Sequence, residues 1–193
     1  MSNDTLWYIA RSSGLIAWAL MTASVVLGIM LSARLVKTPS KAWQTDLHRF
    51  LGGLSVVFVV VHVVGIVLDR QSHFSWLAGL VPFVASWRPW ATVAGVVALY
   101  LLLAVEVTSL LKKHMPLSVW KGVHYTSYPL FAFTTLHSVA SGTDTRSTLM
   151  ALGVAVTVIV IGVLTVARLY AADAQLDARE ARKERLAELA GRR

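Results

Sequence analysis

Four of the six histidines in this chain lie inside otherwise apolar stretches. His48 and His62 fall in DLHRFLGGLSVVFVVVHVVG, and His124 and His137 in HYTSYPLFAFTTLHSVASGTD. On an ideal helix the 14-residue spacing of the first pair is about 21 Å along the axis and about 40° around it, so the two share a face. The 13-residue spacing of the second pair is about 20 Å, with the rings about 140° out of phase. Pro129 lies between them and could kink the helix by removing a backbone bond. Neutral imidazole supplies an axial nitrogen to iron. Two such segments running the same way would set His48 against His124 at one level and His62 against His137 at another. That is what bis-His ligation of two stacked haems requires. Two other uses of the same residues stay open: a proton or cation pathway and hydrogen-bonded packing between helices. His73 and His114 fall in loops and read as surface histidines.

The elements that must carry these rings follow from composition. Of 193 residues, 56% are apolar and 15% charged, outside the balance of soluble domains. There is no cysteine, which removes thioether-linked haem, iron–sulfur clusters, thiolate zinc sites and disulfides together. Five apolar stretches, at about 13–33, 47–68, 91–111, 117–140 and 148–167, are long enough to cross about 30 Å of hydrocarbon as helices. None alternates polar and apolar residues as barrel strands do. The first stretch is too long for a signal-peptide core and reads as a retained helix. The fold class expected is an all-α integral membrane protein, a five-transmembrane-helix cytochrome b-like bundle. Residues 1–170 form the domain, and residues 171–193 a charged helical tail in the cytoplasm.

Charge sets the expected orientation. The connection after the first stretch, that after the third, and the tail together hold 14 of the 18 Lys and Arg; Arg11, Arg70, Arg88 and Arg146 fall on the other side. This puts the N-terminus outside and the C-terminus in the cytoplasm, as in a bacterial cytoplasmic membrane. The net charge of +8 needs no nucleic-acid partner; the bilayer is partner enough. Residues 69–90, with Trp76, Trp87 and Trp90, read as a partly helical lid on the outer surface.

Supporting roles can be assigned around the histidines. Haem propionates call for cations at the membrane edge: Arg49 first, then Lys121, Lys41 and Arg34 at the inner level, and Arg11, Arg88 or Arg146 at the outer. Ligating imidazoles donate their second N–H to an acceptor, for which Asp46 and Thr134 are candidates. Tyr125, Tyr128, Phe131 and Phe133 could line a porphyrin or serve ordinary packing. Glu106 reads as pairing with Lys112 or Lys113 at the interface, with a proton relay or a quinone headgroup as the other uses.

With these residues in hand, the chain resembles the ferric reductase-like transmembrane domain family. That family includes the membrane cytochrome b part of NADPH oxidases and ferric reductases, and the haem subunit of the bacterial methionine-sulfoxide reductase system. The likeness rests on the two His pairs at their 14 and 13 spacings, on LVPFVASWRP, and on HYTSYPLFAFTTLHSVASGTD, and spans roughly residues 7–170. It implies transmembrane electron transfer through two b-type haems, with His48 and His124 on the inner iron and His62 and His137 on the outer. Larger members carry a flavin and nicotinamide module after the last membrane helix. No Gly-rich phosphate loop follows here, so electrons are expected from a separate flavoprotein, a reduced carrier or membrane quinol. The alternative is a haem-binding anchor subunit for a partner redox protein.

Overall fold

A backbone in hydrocarbon must satisfy its own hydrogen bonds, and the apolar stretches accordingly form helices. The computed structural model describes residues 3–35, 38–70, 72, 74–142 and 147–191. In order these form α1 (Asn3–Ala33), α2 (Lys41–Leu68), a short α3 (Trp76–Leu80), α4 (Pro89–Leu110), a 3₁₀ turn (Lys112–His114), α5 (Leu117–Tyr125), α6 (Ser127–Ser141) and α7 (Thr148–Gly191). No strand occurs among the described residues. Four segments are long and apolar enough to cross a membrane: Thr5–Ala33, Lys41–Leu68, Pro89–Leu110 and Thr148–Asp173. The chain is an all-helical integral membrane protein.

The stretch 117–140, expected as one helix, is two, of 9 and 15 residues. Proline explains the break. Pro129 has no N–H to give Tyr125, and its ring would crowd that carbonyl. It therefore sits in the first turn of α6, where a missing donor costs nothing. Thr126 closes α5 instead, its N–H reaching back only three residues to Val123 O at 2.9 Å. The phase error between His124 and His137 is taken up at this joint, because both rings meet partners on α2.

α1 lies along α2, α4 along α6, and α7 leans on α1. Met21, Ala98, Leu102 and Leu130 form a buried cluster joined by Val56, Val59, Leu101 and Phe133. In sequence these residues fall between the two histidine levels on α2 and on α5–α6, so an apolar plug separates the levels. A second cluster of Val25, Ile29, Phe131 and Ile161 fixes α7 to α1 and α6. Arg168 reinforces it, donating to the hydroxyls of Tyr128 (2.8 Å) and Tyr125 (3.2 Å). The remaining flank of α7 is exposed apolar surface, with Leu149, Ile159 and Val163 all turned outward, as a lipid-facing helix requires. α7 continues without interruption through the charged tail to Gly191.

The 69–90 connection covers the end of the bundle nearest His62 and His137. Ser75 caps α3 by accepting from Ala78 N–H at 3.1 Å. The Tyr100 hydroxyl donates to Leu80 O at 2.7 Å, and the Arg88 guanidinium donates to Ala140 O at the end of α6. Trp76, Trp87 and Trp90 are exposed around this rim, as interfacial tryptophans are.

Candidate functional site: two facing histidine pairs

The two histidines of α2 each meet one from the broken helix. His62 and His137 have ring centres 6.2 Å apart with planes at 82°. His48 and His124 are 5.9 Å apart with planes at 73°. Thus α5 and α6 together run in the direction of α2 and reach the same two levels.

Three of the four rings are held in the same way. His62 Nδ1 lies 2.7 Å from Ala10 O, His137 Nδ1 2.8 Å from Ala91 O, and His48 Nδ1 2.9 Å from Ser24 O. A carbonyl can only accept, so in each ring Nδ1 carries the hydrogen and Nε2 keeps a free lone pair. This is the arrangement that orients a ligating imidazole and raises its basicity. Ser24 Oγ also lies 3.1 Å from His48 Nδ1. Because the carbonyl is the nearer acceptor, Ser24→Ala should change the affinity for any metal group held at the His48 level by no more than about twofold, well short of the 10–100-fold loss typical of a removed outer-shell partner. Titrating limiting cofactor into both chains checks this.

Small residues make room for the rings. A Cβ on Gly14 would stand 2.7 Å from His62 Nδ1, one on Gly95 2.6 Å from His137 Nδ1, and one on Gly28 3.2 Å from His48 Cε1. Each glycine lies four residues after the residue whose carbonyl takes the hydrogen bond: Ala10 and Gly14, Ser24 and Gly28, Ala91 and Gly95. The same small-x-x-x-Gly unit thus exposes a helix carbonyl and lets an imidazole reach it. Sequence reading missed these six residues, although Gly14 and Gly28 repeat on α1 the 14-residue spacing of His48 and His62 on α2.

His124 is the exception. Its Nδ1 is buried without a hydrogen-bond partner. The ring stacks instead on Trp120, centres 4.7 Å apart and planes at 22°, and Lys112 Nζ lies 3.8 Å from the centre of the same indole.

Around the His62–His137 level is a cavity of about 710 Å³, lined among others by Arg11, Trp18, Phe74, Trp87, Gly14 and Gly95, within the size range of small-molecule and cofactor sites. Trp18 Nε1 donates to Thr135 Oγ1 at 3.0 Å and joins α1 to α6 beside it. Among the described residues no group of three or more His, Cys, Asp or Glu converges on one point. Each pair thus presents two imidazoles with no third such side chain beside them among the described residues.

The expectations for the supporting residues fare differently. Asp46 and Thr134 are not the imidazole acceptors; backbone carbonyls are, and Thr134 Oγ1 bonds Leu130 O at 2.7 Å. Glu106 does not pair with Lys112, whose ammonium lies over Trp120. Its carboxylate turns inward against Gly52 on α2, one turn from His48, and would collide with any Cβ there. Tyr125 and Tyr128 serve Arg168, Phe131 the α7 interface and Phe133 the plug. Arg88 donates to Ala140 O and stacks on Trp87; Arg11 is among the residues that line the cavity. Arg49, Lys121, Lys41, Arg34 and His114 are all exposed. His73 and Arg146 lie outside the described residues.

The family model described as ferric reductase like transmembrane component matches residues 13–135, more than half of the chain. The chain belongs to that family. No match was found among curated proteins or among solved structures. Ferric reductase-like transmembrane domains generally bind haem, and membership points to transmembrane electron transfer in general. The matched stretch holds His48, His62 and His124 and ends two residues before His137, whose place beside His62 is a finding of the geometry.

Proposed function

We propose that this chain passes electrons singly across the membrane through two b-type haems, one held by His48 and His124 and the other by His62 and His137. The observation that carries this is the pair of facing imidazoles at two levels, three of the four rings with Nδ1–H fixed on a backbone carbonyl. The facing ring centres, 5.9 and 6.2 Å apart, would let one metal group be held between the two imidazoles of each pair. When bound, haem supplies the one-electron couple of its iron. The residues do the rest. The carbonyls of Ala10, Ser24 and Ala91 orient the ligands, the plug around Met21 and Leu102 keeps water from the space between levels, and Arg11 and Arg49 offer cations to propionates.

In this reading α5 and α6 act together as one crossing, making five, with the N-terminus outside and the C-terminal tail in the cytoplasm. The His48–His124 level is then the inner one. A cytoplasmic flavoprotein or membrane quinol gives the electrons, and an acceptor at the outer face takes them. A proton pathway along the histidines fits less well: a carbonyl that holds Nδ1–H has no proton to pass on.

Haem counted per chain by the pyridine-haemochrome method tests the proposal. About two b haems per chain are expected, falling to about one in His62→Ala. A folded wild-type chain from haem-replete cells that holds none would refute it.

A further inference from the structure

The fourth ligand is anchored differently from the other three, and the difference has a local cause on α4. Gly95 and Ala91 serve His137; 14 residues further along the same helix stand Ser109 and Val105. Where the repeat would need a glycine there is a serine, whose buried Oγ has no hydrogen-bond partner. The unit that presents a carbonyl to an imidazole is therefore broken at this level, and His124 Nδ1 is left bare. What holds the ring is Trp120, one turn earlier on α5, in near-parallel contact. Lys112, from the 3₁₀ turn, anchors the indole in turn through a cation–π contact.

We infer that Trp120 is the positioning residue of the inner site, orienting His124 by stacking as backbone carbonyls orient the other three ligands, and that His124 is consequently the exchangeable ligand of the four. This rests on the haem reading above. Stacking fixes the plane of a ring, but neither its tautomer nor its basicity. An outer-shell hydrogen bond is typically worth 10–100-fold in metal affinity. Small anionic or neutral ligands of iron would then enter at the inner level and leave the outer pair intact.

Cyanide titration of the oxidised, haem-loaded protein, followed by its absorption spectrum, reads this directly. Wild type should convert in two phases of similar amplitude, the first at roughly 10-fold or more lower cyanide than the second. The sensitive phase should persist in His62→Ala, which keeps only the inner pair. Trp120→Phe, which still stacks, should leave that phase in place. Trp120→Leu should move it to lower cyanide or remove that haem altogether, with the insensitive haem as the sign of an intact fold. A single phase in wild type would overturn the inference, and so would its sensitive phase vanishing in a haem-bearing His62→Ala chain. A Trp120→Leu protein identical to wild type in haem count and both phases would reduce Trp120 to packing. Wild type without haem would instead refute the parent reading, so the two failures are told apart.

Discussion

Gly95→Ala should empty the His62–His137 site as completely as His137→Ala does. A methyl at position 95 would stand 2.6 Å from Nδ1, 2.7 Å from Cε1 and 3.0 Å from Cγ of His137, all well inside contact distance. The ring cannot step aside cheaply, because its Nδ1 is held 2.8 Å from Ala91 O on the same helix face. Either that bond breaks or α4 and α6 move apart, and a ligand site tolerates only about 0.5 Å of displacement. Gly14→Ala should act on His62 in the same way, its Cβ falling 2.7 Å from Nδ1. Gly28→Ala should be milder: the nearest atom of His48 is Cε1 at 3.2 Å, a gap that a shift of a few tenths of an ångström relieves. Gly53 and Gly122 have nothing within 4 Å of an added Cβ. Alanine there should stabilise its helix by about 0.5–1 kcal/mol and leave haem content alone. Haem per chain and the thermal midpoint, measured across the five variants, check the order. A Gly95→Ala chain with its full complement of haem would show that the tight fit around His137 does not matter to ligation.

These glycines also mark the limit of what the bare sequence revealed. The histidines stood out because a polar ring in a valine-rich run is conspicuous, and the pairing by level needed only helix rise. The glycines did not, because a glycine in a membrane helix has an ordinary reading in helix packing. Only the facing imidazole separates Gly14, Gly28 and Gly95 from Gly53. Asp46 and Thr134 attracted attention as acceptors because their side chains bear oxygen, whereas the atoms that accept belong to the backbone and leave no trace in residue type. Glu106 was read by its distance along the chain from Lys112 and Lys113. What decides its direction is the gap at Gly52 on another helix, a tertiary fact. The 117–140 stretch shows a subtler failure. Its length and Pro129 were both visible, and a kink there was foreseen. That the helix would instead end at Thr126 and restart at Ser127 follows from giving proline a first-turn position, which hydropathy does not register.

That joint makes the second large effect predictable. One alanine inserted between Phe133 and Thr134 should abolish the His62–His137 site and spare the His48–His124 site. The insertion turns all that follows by about 100° and advances it by about 1.5 Å. Upstream of it, Leu130 and Phe133 are locked into the plug and Phe131 into the α7 interface. Downstream, Thr135 accepts from Trp18 and His137 must reach both His62 and Ala91 O. One set of contacts has to yield. Swinging Leu130 and Phe131 out of the core would forfeit about 2–5 kcal/mol per large side chain, more than the Thr135 and His137 hydrogen bonds supply at about 1 kcal/mol each. The histidine end therefore loses. His124 lies on the far side of the break, where α5 has its own termini and its own stack on Trp120, and the disturbance stops at Thr126. The same alanine placed after Ser141, at the end of α6 and beyond His137, should leave both sites filled. Haem counted per chain in the two insertion variants decides the matter. If the Phe133 insertion kept both haems, α6 would have to slide freely at Thr126, and the helix break would be a hinge rather than a fixed joint that sets the register of the second histidine.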